Sequence, residues 1–267
     1  MAVSGRKFIK MQGIGNDFVV FDCLDGSPVP EGEEVRRLCD RRFGIGADGV
    51  IAILPSADAD CRMRIFNADG SEAEMCGNGI RCVTKYLFSK GLVHGTARVD
   101  TLSGQKRLRF DADCSLITVD MGRPTAAAAD LTVECESGTF RLTAVSVGNP
   151  HGVVFTDDLA DSLVLEAGPE IEKHPIWPNK ANIEFARLRA DGGYDVRVWE
   201  RGAGETLACG TGACAVAAAA AATGRGSFPF AIHLPGGTLL VDSDADGHIL
   251  LTGPAEFVFM GVVQASF

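Results

Sequence analysis

Residues 67–82 read Asn67-Ala68-Asp69-Gly70-Ser71-Glu72-Ala73-Glu74-Met75-Cys76-Gly77-Asn78-Gly79-Ile80-Arg81-Cys82. A polar loop ends in a cysteine. Gly77-Asn78-Gly79 follows, a tripeptide open to backbone conformations closed to most side chains. Ile80 to Lys90 then reads as a helix that stops at Gly91. A cysteine at a helix start feels the positive end of the helix dipole, about half an elementary charge. That field is expected to lower its pKa from about 8.5 toward roughly 3.5–7.5. The unpaired N–H groups beside it suit a carboxylate. One short segment thus offers an ionisable thiol and an anion site together.

The stretch has a twin. Glu200-Arg201-Gly202-Ala203-Gly204-Glu205-Thr206-Leu207-Ala208-Cys209-Gly210-Thr211-Gly212-Ala213-Cys214 again places Cys-Gly-x-Gly before a helical run, 133 residues further on. Gly15-Asn16 and Gly148-Asn149 are separated by the same 133. Two independent pairs at one offset indicate a duplicated unit.

The 267 residues suffice for two ordinary domains, and 46% hydrophobic with 22% charged residues describes a folded globular chain. The net charge of −10, with no basic run, argues against a nucleic-acid partner, and an anionic substrate would need local donors. Nine cysteines, an odd number without any Cys-x-x-Cys, argue against a disulfide framework or a zinc site. The N-terminus lacks a secretory pattern, and the apolar run 213–222 is too short to span a bilayer. A reduced, cytoplasmic protein with no membrane partner is expected.

Alternation and turn residues predict strands at 8–11 and 18–21 around a turn at 12–17, at 50–54, 61–66, 97–102, 106–111 and 116–121. Residues 32–42 read as an amphipathic helix. The Ala-rich 124–130 is expected to be a featureless crossing between halves. Beyond it, 140–147, 153–155, 181–189 and 194–199 read as strands, 169–177 as partly helical, and 211–223 as a helix apolar on every side and hence buried. Three strand-like runs, 231–234, 239–242 and 257–263, close the chain.

If the halves face each other, Cys76 and Cys209 enter one cleft from opposite sides. Two acid–base groups on opposite faces of a carbon suit inversion of a C–H stereocentre: a thiolate takes the proton and a thiol returns one to the other face. The N–H groups around Gly77, Asn78, Gly210 and Thr211 would stabilise the charge that develops on the carboxylate, each worth about 2.7–4 kcal/mol. No electron-sink cofactor is then required.

Over essentially its whole length the chain resembles the diaminopimelate epimerases. The resemblance rests on 10–18, 66–72, 75–79, Gly148-Asn149-Pro150-His151, 200–206 and 208–212. It implies an α+β fold of two pseudo-symmetric domains, each a mostly antiparallel sheet or barrel wrapped around a central helix, with an active-site cleft between them. The domains would be 1–120 with 256–267, and 121–255, the final strand returning to the first. It implies interconversion of LL- and meso-2,6-diaminopimelate, for lysine and peptidoglycan precursors, without pyridoxal phosphate or metal. Cys76 and Cys209 match the catalytic base and acid. Gly77, Asn78, Gly210 and Thr211 match the carboxylate donors, and Glu200 and Arg201 the groups near the substrate amines and distal carboxylate. Asn16, Asn67, Asn149 and Asn182 match the polar shell that reads the distal end, and His151 belongs to the same motif as an accessory group. Gly49 departs from relatives that carry Gln there. Relatives also form dimers, so a homodimer is expected by analogy.

The bland reading of Cys82 and Cys214 is small apolar packing inside the helices, and it is preferred. For Arg201 a bidentate carboxylate contact is preferred over a surface ion pair. Two other readings keep the scaffold: a racemase of another amino acid, which would change the distal shell, and an amino-acid binder that performs no chemistry.

Overall fold

The structure is a computed structural model and describes residues 5–264. In the first repeat, β1 (Gly5–Gly13) and β2 (Asn16–Asp22) form an antiparallel hairpin with Gly13 opposite Asn16. Its turn residues Ile14 and Gly15 both have positive φ, 48° and 88°, as a two-residue hairpin turn requires. The amphipathic helix α1 (Glu33–Cys39) buries Val35 and Leu38. Strand β3 (Gly49–Leu54) runs parallel to β2, and β4 (Cys61–Asn67) antiparallel to β3. The short β5 (Glu72–Ala73) folds back on β4 and leads into α2 (Gly77–Ser89). β6 (Thr96–Thr101) returns parallel to β4, followed by antiparallel β7 (Gly104–Phe110) and β8 (Ile117–Gly122).

The second repeat retraces this path. Strands β9 (Thr125–Cys135), β10 (Gly138–Ser146) and β11 (Pro150–Phe155) pair antiparallel in sequence. A π-helical turn (Leu163–Ala167) runs into α3 (Gly168–Glu172). Then come β12 (Asn182–Leu188), parallel to β11, antiparallel β13 (Tyr194–Glu200) and the short β14 (Gly204–Thr206). The helix α4 (Gly210–Ala222) precedes β15 (Phe230–Leu234), β16 (Gly237–Ser243), β17 (Ile249–Gly253) and β18 (Glu256–Gln264). The offset of 133 carries β1 onto β10, α2 onto α4 and β7 onto β16 residue for residue. It also carries register: Phe18 sits opposite Gly49 in β2–β3, and His151 opposite Asn182 in β11–β12. The pseudo-symmetry expected from the sequence is therefore present in the backbone.

The chain divides into two compact units, Met1–Val119 with Gly253–Phe267, and Asp120–Thr252. The first unit is closed by β18, antiparallel to β1, and in the second unit β9 lies antiparallel to β10. The Ala-rich 124–130 is thus not a featureless crossing but the start of an eleven-residue strand. Tertiary pairing with β10 supplies the hydrogen bonds that alanine's weak strand propensity does not encourage. The run Ile249–Gly253 was also not anticipated as a strand; pairing with β16 makes it one.

Each unit builds its sheet around its central helix. α2 packs on β1 and β4, and buries Ile80, Val83 and Leu87 completely. Each such side chain contributes about 1.5–3 kcal/mol, which outweighs the roughly 1 kcal/mol that each of Gly77 and Gly79 costs in a helix. The helix ends at Lys90, with Gly91 at φ 69°. α4 is buried from Gly210 to Ala220 except Thr211; its alanines let strands approach on every side, as anticipated. Both helices begin earlier than expected, at Gly77 and Gly210, because each cysteine side chain caps its own helix. No helix among the described residues is long and apolar enough to cross a membrane.

Candidate active site

Cys76 and Cys209 occupy the same structural position. Each is the N-cap of its helix in extended conformation, and each Sγ accepts a hydrogen bond from the backbone three residues on. Those bonds are Gly79 N at 3.5 Å and Gly212 N at 3.3 Å. Gly77 and Asn78 in one unit, and Gly210 and Thr211 in the other, open the helix beside a thiol, where first-turn N–H groups have no intrahelical acceptor.

The surroundings of the two thiols differ. In the first unit, Cys76 Sγ lies 3.7 Å from Asn16 Oδ1, which also accepts from Asn78 Nδ2 at 3.2 Å. Asn16 Nδ2 donates to Asp48 Oδ2 at 2.8 Å. Behind it, Asp17 is held ionised: burial opposes this, but hydrogen bonds from Arg41 and Lys10 outweigh it and keep the carboxyl below its usual range. Buried Arg81 donates to Asn78 Oδ1 at 2.8 Å and to the Gly77 and Pro254 carbonyls. The sequence motif contained Lys10, Asp17 and Arg81 without revealing that they brace Asn16 and Asn78. Asn67 is exposed and donates from Nδ2 to Ser71 Oγ at 3.0 Å.

In the second unit, Cys209 lies among acids. Glu200 Oε1 accepts from the Thr206 hydroxyl, and its carboxylate also bonds the Cys209 thiol. Thr211 Oγ1 lies 3.5 Å from Sγ. Burial, then the Glu200 and Glu184 carboxylates, push the Cys209 thiol well above its ordinary value. The expected lowering by the helix dipole is therefore overturned for Cys209. Desolvation and two carboxylates outweigh the field of one helix end, whose effect is worth at most about 2 kcal/mol. Burial likewise raises the Glu200 carboxyl.

His151 and Glu184 are fully buried, with Nδ1 and Oε1 2.7 Å apart. His151 Nε2 lies 2.9 Å from Asn149 Oδ1. Glu184 was missed in the sequence; the only signal was a carboxylate inside the otherwise apolar run Ile183–Ala186. Asn182 is buried, its Oδ1 accepting from Arg201 N at 2.9 Å. The Arg201 guanidinium is exposed and donates from Nη1 to the Asn179 carbonyl. At Gly49, the position matching Asn182, an added Cβ would lie 2.4 Å from the Phe66 carbonyl, so the backbone itself excludes a side chain there. All nine cysteines are free thiols. Cys82 and Cys214 are buried within the helices, as packing residues would be.

The diaminopimelate epimerase family model matches residues 8–127 and 143–258. This chain belongs to the diaminopimelate epimerase family. It is 48% identical to the diaminopimelate epimerase of Desulforudis audaxviator, across 96% of this chain and 98% of that one. It is 44% identical to that of Desulfitobacterium hafniense over 96% and 98%. Membership makes the protein an isomerase. Solved structures share the fold at low identity. A probable proline racemase from Agrobacterium radiobacter superimposes with TM-score 0.76 at 19% identity, over 97% of this chain and 93% of that one. A phenazine biosynthesis protein of the PhzF family from Bacillus anthracis gives 0.72 at 18%, over 97% and 99%.

Proposed function

We propose that this epimerase inverts one α-carbon of 2,6-diaminopimelate, interconverting the LL and meso forms in lysine biosynthesis, with Cys76 as thiolate base and Cys209 as thiol acid. The observation that carries this reading is the matched N-cap placement of two thiols in unlike electrostatic settings. Cys209, buried among carboxylates, rests protonated and is suited to give a proton. Cys76, half-buried and capped by the Gly79 N–H, is suited to take one.

The thiolate of Cys76 takes the α-proton and becomes a thiol. The electron pair left on carbon spreads into the carboxylate, where N–H groups at Gly77, Asn78, Gly210 and Thr211 meet the growing charge. The Cys209 thiol gives its proton to the opposite face and becomes a thiolate. The roles exchange in the reverse direction. Glu200 and Arg201 serve the substrate amines and distal carboxylate. Asn16, Asn67, Asn149 and Asn182 form the polar shell, and His151 is accessory to it. No cofactor or metal takes part.

The reading also carries a partner and a compartment. Strand β18 exposes Val258, Met260 and Val262 on one side, with Met260 81% exposed, and a second copy of the chain would cover this face. Light scattering that returns only monomer mass would remove that element. Nine free thiols suit the reducing cytoplasm.

The deciding experiment is purified protein with LL-diaminopimelate in deuterated water and no added cofactor. The meso product should carry deuterium at the inverted carbon, and Cys76→Ala and Cys209→Ala should each abolish inversion. Full inversion in either variant overturns the mechanism. Turnover of another diamino acid with diaminopimelate inert would point instead to a racemase of different specificity.

A further inference from the structure

The offset of 133 aligns His151 with Phe18 and Glu184 with Ile51. All four side chains are buried. The packing they make is also equivalent. A Cβ on Gly79 would lie 3.0 Å from Ile51 Cδ1, and a Cβ on Gly212 2.9 Å from Glu184 Oε1. The same niche under the first turn of the helix is therefore filled by an apolar pair in one repeat and an ionisable pair in the other. The first repeat demonstrates that the fold needs no charge there. Buried ion pairs are commonly no more stabilising than apolar residues of similar volume. A carboxylate kept in this niche thus calls for a reason other than stability.

Hydrogen-bond polarity supplies one. A carboxylate only accepts, so Glu184 requires His151 Nδ1 to donate. Nε2 faces Asn149 Oδ1, a second acceptor. Each ring nitrogen therefore faces an oxygen acceptor, and the Asn149 amide is turned with its oxygen inward. Asn149 Nδ2 makes no hydrogen bond among the described residues. The partner position in the first repeat has the opposite polarity: Asn16 is anchored through Nδ2 on Asp48 and turns Oδ1 toward Cys76. Glu184 Oε2 has no partner among the described residues, so His151 is the contact that accounts for this carboxylate.

We propose that Glu184 is a positioning residue: it holds His151 protonated on both nitrogens and thereby turns the Asn149 amide so that Nδ2 is presented as a donor to the substrate. The substrate-facing part of this rests on the function proposed above. The relay from Glu184 to Asn149 does not, because its three members are read from contacts within one unit. Removing the carboxylate leaves a neutral ring with Nδ1–H on the replacement amide. Nε2 becomes an acceptor, and the Asn149 amide reverses, offering oxygen where it had offered N–H.

The test uses the full chain and two variants, Glu184→Gln and the double variant His151→Phe/Glu184→Ile, which copies the packing of the first repeat. Nitrogen NMR on isotope-labelled histidine reports the His151 ring without any activity. At neutral pH it should show two protonated nitrogens in the wild type and one in Glu184→Gln. With diaminopimelate, Glu184→Gln should raise KM about tenfold or more, the loss expected for one charge-assisted hydrogen bond, and should lower kcat by less. The double variant should unfold within a few degrees of the wild type and show the same rise in KM. A singly protonated His151 in the wild type, or an unchanged KM in folded Glu184→Gln, overturns the proposal. If wild type fails to turn over diaminopimelate, the function reading fails and the ring spectra still decide the relay.

Discussion

Asn16 Oδ1 lies 3.7 Å from Cys76 Sγ, and the same amide is fixed from behind by Asp48, 2.8 Å from its Nδ2. The amide cannot turn over without setting its oxygen against a carboxylate. Asn16→Asp keeps the shape and adds a negative charge beside both the thiol and Asp48. Like charges disfavour the thiolate. The rising limb of the pH–rate profile for α-hydrogen exchange should therefore move to higher pH, with kcat/KM near neutrality reduced about tenfold or more, about 1.4 kcal/mol. An unmoved profile would exclude Asn16 from the environment of the reacting thiol.

Glu200 acts on the other thiol by the same physics with the sign reversed. Burial raises the Cys209 thiol first, and the Glu200 charge raises it further. Glu200→Gln removes that repulsion, so the thiolate fraction at a given pH rises. Alkylation of Cys209 by a small reagent, followed by mass spectrometry near pH 8, should be several-fold faster than in the wild type. An equal rate would mean that the Glu200 charge does not act on this thiol.

Gly79 and Gly212 test the two niches against each other. Gly79→Ala meets Ile51 and Ile65 methyl groups at 3.0 and 3.1 Å, an overpacking that costs about 1–3 kcal/mol and is read as a lowered Tm. Gly212→Ala meets Glu184 Oε1 at 2.9 Å and Cys209 Sγ at 3.3 Å. It should lose more activity than Gly79→Ala at comparable loss of stability. Equal activity losses would indicate that the niche under α4 has no special connection with chemistry.

Stability should fall in alkali. Burial raises Cys61 and Cys82 from an ordinary 9.0 to about 12, and Cys39 and Cys114 to about 11. Above pH 9 the unfolded chain releases these protons while the native state still holds them, so the native state binds more protons and stability declines as pH rises. Each thiol contributes a slope of up to about 1.4 kcal/mol per pH unit until its folded value is reached. Urea unfolding at pH 8, 9 and 10 should show a falling midpoint, and Cys82→Ala should flatten the fall. A midpoint constant across this range would contradict the burial of these thiols.

Much of this protein was legible from its chain. Gly-rich segments after Cys76 and Cys209, and their constant spacing, disclosed the duplication, because a backbone that must cap a helix and face an anion leaves few residue types permissible. The alternation in 61–66 and 194–199 disclosed strands for the same local reason. Alanines 126–129 carried no such signal, and only the neighbouring strand β10 made them β. Glu184 was equally silent, since a lone acid in an apolar strand does not name its partner 33 residues away.

The sequence by itself determined two thiols at two helix starts, the repeat that relates them and the family they belong to, because caps, turns and periodicity are written within a few neighbouring residues. Which way each amide faces, and that Cys209 rests protonated against its helix dipole, were decided only in three dimensions. Those properties come from desolvation and from carboxylates brought close by strand pairing, and neither has a counterpart along the chain.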